Sequence, residues 1–113
     1  MKIAITAVGP SEDNEMDQRF GRARYFITYD TETGEYQSLS NDSAAAEAQG
    51  AGVKTGELLS NNGVEAVISG HVGPKAFSTL MAGRIKVFLS GNGKVSEIVS
   101  RYLAGELKET KGP

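Results

Sequence analysis

The sequence predicts an α/β fold in which one domain holds a five-stranded mixed sheet and about three helices. Three observations indicate this fold. Short apolar runs rich in β-branched residues recur at residues 2–8, 64–69 and 85–89, as expected of buried parallel strands. Segments with helical periodicity follow the last two runs, and this alternation is typical of parallel sheets. Residues 25–30 and 35–40 predict an antiparallel hairpin beside them.

Length and composition narrow the possible functions. The 113 residues suit one core, which we expect at residues 1–107, while the charged residues 108–113 predict a flexible tail. With a net charge of −2, the chain has no overall positive potential that would attract nucleic acid or an anionic membrane. No apolar run approaches the ~20 residues that span a bilayer, and no signal-peptide pattern is present, so we expect a cytoplasmic location.

The chain contains no cysteine. This excludes disulfides, zinc sites built from thiolates and iron–sulfur clusters held by cysteine. Any metal must therefore bind through the single histidine, His71, through carboxylates, methionine or backbone groups, or arrive inside a preassembled anion.

The first half of the chain combines predicted strands with two loops. Residues 2–8 predict a central strand that ends at the turn signal Gly9-Pro10. The acidic and polar residues 11–17 that follow predict a mobile loop. In the hairpin, Gly34 is expected to adopt a positive φ in the tight turn.

Three helices are predicted in the second half. Residues 54–61 form the first, and Gly52 and Gly56 share one of its faces, which would let it approach the sheet closely. The second carries a short apolar stripe expected in the core, formed by Phe77, Leu80 and Met81. The third has the clearest amphipathic pattern, formed by Val95, Ile98, Val99, Tyr102 and Leu103.

The turn at residues 69–75 is the strongest candidate for a functional site. It joins a buried strand to a helix, where Gly73 suits the N-cap and Pro74 the first helical position. Backbone N–H groups at the positive end of a helix bind anions. His71 would stand at the rim, either as a metal ligand or as a side chain hydrogen-bonded to a nearby backbone group. The predicted binding residues of this turn are Gly70, His71, Val72, Gly73 and Lys75.

Two further segments are expected to meet this turn. Residues 17–24 hold three arginines, whose guanidinium groups suit oxyanions. The alternative is a solvated loop in which Phe20 enters the core and an arginine pairs with Asp17. A second glycine-rich turn follows the last strand, and ligands of open α/β sheets bind where strands end. The predicted binding residues of the two segments are Arg19, Phe20, Gly21, Arg22, Arg24, Gly91, Asn92 and Gly93.

Three motifs together resemble those of the dinitrogenase iron–molybdenum cofactor biosynthesis family, of the NifX, NafY and NifB C-terminal type. They are residues 17–23 (DQRFGRA), 69–75 (SGHVGPK) and 102–107 (YLAGEL). The chain is most similar to small stand-alone members of the orange-protein type, which carry a molybdenum–copper–sulfide cluster. The resemblance spans residues 1–107.

This resemblance implies a ribonuclease H-like fold and non-covalent binding of an anionic, molybdenum-containing metal–sulfur cluster or its precursor. The cluster would be of the Mo–Cu–S type or similar to the iron–molybdenum cofactor. The resemblance also implies that His71 is a cluster ligand, as a histidine is in some relatives. Proteins that donate or accept the cluster would then be partners.

The residues leave a second function open and argue against two others. A nuclease of the ribonuclease H type needs clustered carboxylates that begin inside the first strand, and residues 1–8 contain no acid. A serine nucleophile at Ser69 would lack a third orienting group, so we expect no enzymatic activity. The alternative is a small regulatory module for a phosphate-type anion or a protein partner, because a glycine-rich turn binds phosphate as readily as a thiomolybdate.

Overall fold

The computed structural model describes residues 1–46 and 50–112 and contains one six-stranded sheet with helices on both faces. The strands are β1 (Lys2–Ala7), β2 (Tyr25–Asp30), β3 (Tyr36–Ser40), β4 (Ala66–Ser69), β5 (Lys86–Leu89) and β6 (Glu109–Thr110). The helices are α1 (Asp42–Ala45), α2 (Ala51–Asn61), α3 (Pro74–Ala82) and α4 (Val95–Leu103). The predicted α/β class is confirmed.

The sheet has the strand order β3-β2-β1-β4-β5-β6. β4 pairs in parallel with both β1 and β5, whereas β1, β2 and β3 form consecutive antiparallel pairs. The predicted mixed sheet, in which a hairpin extends a parallel portion, is therefore confirmed. Gly34 has a φ of 75° in the hairpin turn, as the sequence predicts.

The predicted strand count of five is wrong, because β6 adds a sixth strand. Thr110 lies opposite Val87 and Glu109 opposite Phe88 in an antiparallel pair. This strand falls within residues 108–113, the segment that the sequence predicts to be flexible, of which residue 113 lies outside the described range. Two residues are too few to show the alternation that marks a strand. The helix α1 was not predicted either, because its four residues are too few to show helical periodicity.

The two faces of the sheet carry separate apolar clusters. One lies under α2 and α3 and includes Phe26, Val67 and Leu80, whereas the other lies under α4 and includes Ile5 and Ile98. Because α2 leads into the start of β4 and α3 into the start of β5, both helices begin at the edge where the parallel strands end. The N-termini of α2 and α3 are therefore neighbours on one face of the molecule. No helix within the described ranges is both long and apolar enough to cross a membrane.

The two glycines of α2 allow close packing against α3 rather than against the sheet. A Cβ atom added to Gly52 would lie 2.6 Å from the Cβ of Ala76, and one added to Gly56 would lie 2.7 Å from Cγ2 of Thr79. The expectation that α2 packs closely through these glycines was right, but the element that it approaches there is α3 and not the sheet. Helical spacing shows which residues share a face and does not show what that face meets.

Met81, which is predicted in the core, and Leu103, which belongs to the predicted amphipathic pattern of the third helix, are both exposed. Met81 in α3 is 52% exposed and Leu103 in α4 is 53% exposed, whereas Phe77 and Leu80 are buried as predicted. Both exposed residues lie in the last turn of their helix. Helical periodicity alone does not indicate how far a covered face extends.

The acidic loop at residues 11–17, predicted to be mobile, is held by backbone hydrogen bonds. Its carbonyl groups accept from the first turn of α4, with 2.9 Å between Val95 N and Asn14 O and 2.9 Å between Ser96 N and Glu12 O. Met16 is buried in the cluster under α4. The N-terminal amide groups of α4 therefore already have partners within the chain.

Candidate functional site

The arginine segment lies directly against the central turn. Asp17 N donates to Thr6 O of β1 at 3.0 Å, and Phe20 N donates to His71 O at 3.1 Å. Arg19 and His71 pair in parallel as an isolated bridge. Residues 17–20 thus run along the carboxyl ends of β1 and β4, and the structure brings Arg19, Phe20 and His71 together.

A glycine at position 70 is required by this arrangement. A Cβ there would overlap Oε1 of Gln18 and lie 2.9 Å from its Cα, so a side chain would displace the crossing segment. Gln18 in turn donates from Nε2 to Oδ1 of Asn92 at 2.8 Å. Gln18 therefore links the turn after β4 to the turn after β5, a role that the sequence did not reveal.

Between the N-termini of α2 and α3 lies an open cavity of about 460 Å³, which we call the helix-terminal cavity. Its lining is Gly21, Arg22, Gly50, Ala51, Gly52, Val53, Gly73, Pro74, Lys75 and Ala76. Four predicted binding residues are among these: Gly21, Arg22, Gly73 and Lys75. The contribution of residues 50–53 was missed, although the two glycines in this stretch gave a signal of close backbone approach.

Small residues create the cavity. A Cβ on Gly21 would lie 3.0 Å from the backbone N of Gly52, so the arginine segment and α2 meet backbone to backbone. Gly52 in turn faces Ala76 of α3. These contacts hold two helix ends and the arginine segment around one space.

The helix ends that face the cavity have positive character and no side-chain cap. Gly50 and Gly73 are the N-caps of α2 and α3, and neither end receives a side-chain hydrogen bond within the described residues. Pro74 occupies the start of α3 as predicted. Lys75 is exposed and forms no ion pair with residues 1–46 or 50–112. The cavity therefore combines two helix dipoles with a cationic side chain, a combination that suits an anion.

The first and last of the three arginines pair with carboxylates of the chain. Arg19 Nε lies 3.5 Å from Oδ1 of Asp17, which also accepts from Arg19 N at 2.9 Å. Arg24 Nε lies 3.4 Å from Oδ1 of Asp42 in α1. Pairing with Asp17 is the structural alternative that the sequence left open, and Arg24 lies outside the cavity lining.

Arg22 contributes to both the fold and the cavity. Its Nη1 donates to Ala45 O at 2.7 Å, at the C-terminal end of α1, where a cation stabilises the helix dipole. The same residue lines the helix-terminal cavity. Arg22 therefore connects α1 to the mouth of the candidate site.

The glycine-rich turn after β5 does not reach the helix-terminal cavity. Gly91, Asn92 and Gly93 are absent from its lining. Gly93 O accepts from Met16 N at 2.9 Å, so the turn is tied to the acidic loop. Of the three predicted binding residues, Asn92 alone is connected to the central turn, through its hydrogen bond with Gln18.

His71 is exposed, and its imidazole forms no hydrogen bond with the described residues. The alternative in which the ring binds a nearby backbone group is therefore not what the structure shows. Val72, the next predicted binding residue, is 4% exposed and belongs to the core under α3, as does Phe20 at 2%. No cluster of three or more histidine or acidic side chains able to hold a metal ion occurs within residues 1–46 and 50–112. Within those residues, His71 therefore belongs to no group of three side chains that could hold a metal ion by themselves.

Sequence comparison assigns the chain to a family. A model of the family described as dinitrogenase iron-molybdenum cofactor matches residues 1–105. The chain belongs to this family. An uncharacterised protein of Methanocaldococcus jannaschii, MJ0580, is 30% identical over 111 residues, which are 96% of this chain and 91% of that protein.

Two solved structures of similar sequence share the fold. The apo form of the orange protein from Desulfovibrio gigas is 37% identical, with a TM-score of 0.96 over 99% of this chain and 94% of that chain. A Thermotoga protein described as NifB-like and assigned to the DUF35 family is 39% identical, with a TM-score of 0.85 over 96% of this chain and 91% of that chain. Membership in the dinitrogenase iron–molybdenum cofactor family points to a part in the biosynthesis or binding of that cofactor.

Proposed function

We propose that the chain binds an anionic, molybdenum-containing metal–sulfur cluster or its precursor without a covalent bond, and carries it for cofactor assembly, storage or delivery. The helix-terminal cavity supports this proposal most directly, because two helix ends and Lys75 present positive charge to one space of about 460 Å³. The second metal would be copper or iron. Proteins that donate or accept the cluster would be its partners, in the cytoplasm.

The groups available at the cavity suit an anionic metal–sulfur cluster. A chain without cysteine cannot hold a metal–sulfur cluster through thiolates, so the charge of the cluster must be offset by amide groups and cations. Backbone N–H groups of α2 and α3 and the side chain of Lys75 supply these at the cavity. His71 would add one imidazole ligand to a copper, iron or molybdenum centre at the rim.

A carrier, rather than an enzyme, needs a site from which the cargo leaves intact. Both His71 and Lys75 are exposed, so a bound cluster would remain accessible to a partner protein.

The strand order, with β1 between an antiparallel hairpin and the parallel strands, agrees with a ribonuclease H-like fold, which we retain as part of this proposal.

Reconstitution tests the proposal. We expect a mixture of tetrathiomolybdate and copper, added to the apoprotein, to give stable visible absorption that co-elutes with the protein in gel filtration, because bound metal–sulfur centres absorb visible light. Metal and sulfide analysis of the same fraction gives the stoichiometry. A colourless protein fraction without metal would refute cluster carriage. Binding of inorganic phosphate by that colourless protein, measured by calorimetry, would support the phosphate-binding alternative instead.

His71→Ala separates a ligand role from a structural role. Because the imidazole is exposed and lacks a hydrogen bond within the described residues, we expect the variant to remain folded while the visible spectrum shifts or the complex weakens by about tenfold. Gln37→Ala, at an exposed position on β3, is the matched control and should leave both properties unchanged. An unaltered spectrum and affinity in His71→Ala would rule out coordination by His71.

A further inference from the structure

The strand β3 forms one edge of the sheet and pairs only with β2. Just before β3, Glu35 O accepts a hydrogen bond from Asp30 N at 3.1 Å. Just after β3, Asn41 N donates to Arg24 O at 2.8 Å. Successive residues of an antiparallel strand direct their backbone groups to alternate sides. The residues of β3 whose backbone groups point away from β2 are therefore Tyr36, Ser38 and Ser40.

The free side of β3 lacks the features that keep sheet edges from pairing. Natural edge strands are protected by charged side chains, proline, a bulge or very short length. Residues 36–41 (YQSLSN) contain no charge and no proline, and the register with β2 continues along the whole strand. Among residues 1–46 and 50–112, no backbone hydrogen bond outside the pairing with β2 engages positions 36, 38 and 40. Their N–H and C=O groups are therefore open to a further strand.

The opposite edge of the sheet is protected. β6 consists only of Glu109 and Thr110, and lysines flank it at positions 108 and 111. Lys111 Nζ lies 3.2 Å from Oε2 of Glu109 in an ion pair. Growth of a filament through pairing of β3 with β6 is thus disfavoured. Pairing of β3 with β3 instead closes on itself as a dimer with twofold symmetry.

The sequence of β3 is compatible with pairing to an identical strand. A twofold axis at the centre of β3 places Ser38 opposite Ser38 of the second copy, and Tyr36 opposite Ser40 of the second copy. Every outward N–H then meets an outward C=O of the other copy. In this register the acidic residues Glu35 and Asp42 face uncharged residues, at positions 41 and 34. No like charges are therefore opposed along the paired strands.

We infer that β3 is a self-association surface, on which a second copy of the chain adds its own β3 in the antiparallel direction and joins the two sheets into one. The dimer is weak, because one strand pair buries less surface than the ~1,200 Å² of a stable interface. β3 runs in the same direction as β1, so the two helix-terminal cavities lie at opposite ends of the joined strands. The inference does not depend on the proposed function, and each copy would bind its own ligand.

Ser38→Cys tests the register directly, because the chain has no other cysteine. Opposed residues of a hydrogen-bonded antiparallel pair have Cα atoms about 5.5 Å apart, a distance that a disulfide spans. Diamide would take two protons and two electrons from the two introduced thiols. We expect a disulfide-linked dimer on a non-reducing gel. Ser100→Cys, at an exposed position in α4, is the matched control and should cross-link at least ~10-fold more slowly.

Sedimentation equilibrium of the unmodified chain measures the dimer without a cross-link. We expect the average mass to rise with concentration. Ser38→Lys should raise the Kd of the dimer by about fivefold, because two lysines would face each other at the axis, and added salt should recover part of this loss. Ser38→Pro removes only an N–H that points away from β2 and should raise the Kd by about tenfold or more. Ser100→Lys makes the same change in net charge as Ser38→Lys and should leave the Kd unchanged.

A chain that stays monomeric up to about 1 mM would overturn the inference. Equal cross-linking of Ser38→Cys and Ser100→Cys, or a dimer that both Ser38→Lys and Ser38→Pro leave intact, would overturn the assignment to β3. Dimerisation that occurs only with tetrathiomolybdate would also overturn it, because the interface would then lie at the cavity. Failure of the metal–sulfur reconstitution would count against the proposed function alone, since β3 is not part of the cavity lining.

Discussion

Replacing Gly52 with valine is expected to lower the free energy of unfolding by about 2–3 kcal/mol, the upper range for overpacking of a tight contact. The Cβ would lie 2.6 Å from the Cβ of Ala76, an atom fixed to the backbone of α3 that cannot rotate away. The two helices must therefore separate, and the helix-terminal cavity between them must change shape. Urea denaturation at constant pH measures the loss.

Lys54→Val is the matched control for this substitution. Lys54 lies two residues further along α2 and is exposed, so the variant carries the helix-propensity cost of valine, about 0.5 kcal/mol, without the steric conflict. Equal destabilisation by the two substitutions would show that the contact of Gly52 with Ala76 is not as close as described. A folded Gly52→Val variant should also bind tetrathiomolybdate more weakly.

Local sequence signals predicted those parts of the fold that neighbouring residues determine. The start of α3 follows from Gly73 and Pro74, whose backbone preferences act within one turn. The buried strands β1 and β4 follow from their continuous apolar runs, because both lie in the middle of the sheet. Their parallel pairing then placed the end of β1 and the turn around His71 at one edge.

Contacts between distant segments could not be predicted from these signals. The cavity depends on Gly52 meeting Ala76, and nothing local to either residue indicates the other. The arginine segment shows the same limit, because the ion pair of Arg24 depends on where α1 places Asp42. Residues 11–17 were expected to be mobile because their composition is polar. Composition does not indicate the backbone hydrogen bonds that join this loop to α4.

These differences move the centre of the candidate site. The sequence favours the turn at residues 69–75 as the main site, with the arginine segment and the glycine-rich turn after β5 meeting it. The structure instead joins the start of α2 to the start of α3, and the amide groups at the start of α4 already donate to Glu12 and Asn14. Positive charge at the cavity therefore comes from the helix ends, Lys75 and Arg22, whereas Arg19 and Arg24 pair with carboxylates.

Reversing the charge at Lys75 is consequently expected to have the largest effect on ligand binding. Lys75→Glu should raise the Kd for tetrathiomolybdate by about 30-fold at low ionic strength, because a carboxylate would repel the dianion and also compete for the N–H groups of α2 and α3. The loss should shrink as salt is added, since Lys75 is exposed and its field is screened. Titrations at two ionic strengths measure both effects.

Lys86→Glu makes the same change in net charge at the first residue of β5, at the opposite end of the parallel strands. We expect it to raise the Kd less than twofold, since at that distance the added charge is screened by salt. If Lys86→Glu weakened binding as much as Lys75→Glu, the dianion would respond to the overall charge of the protein and not to the helix-terminal cavity. An unchanged Kd in Lys75→Glu would place the dianion elsewhere, because a negative charge at two converging helix ends cannot be neutral toward an anion bound there.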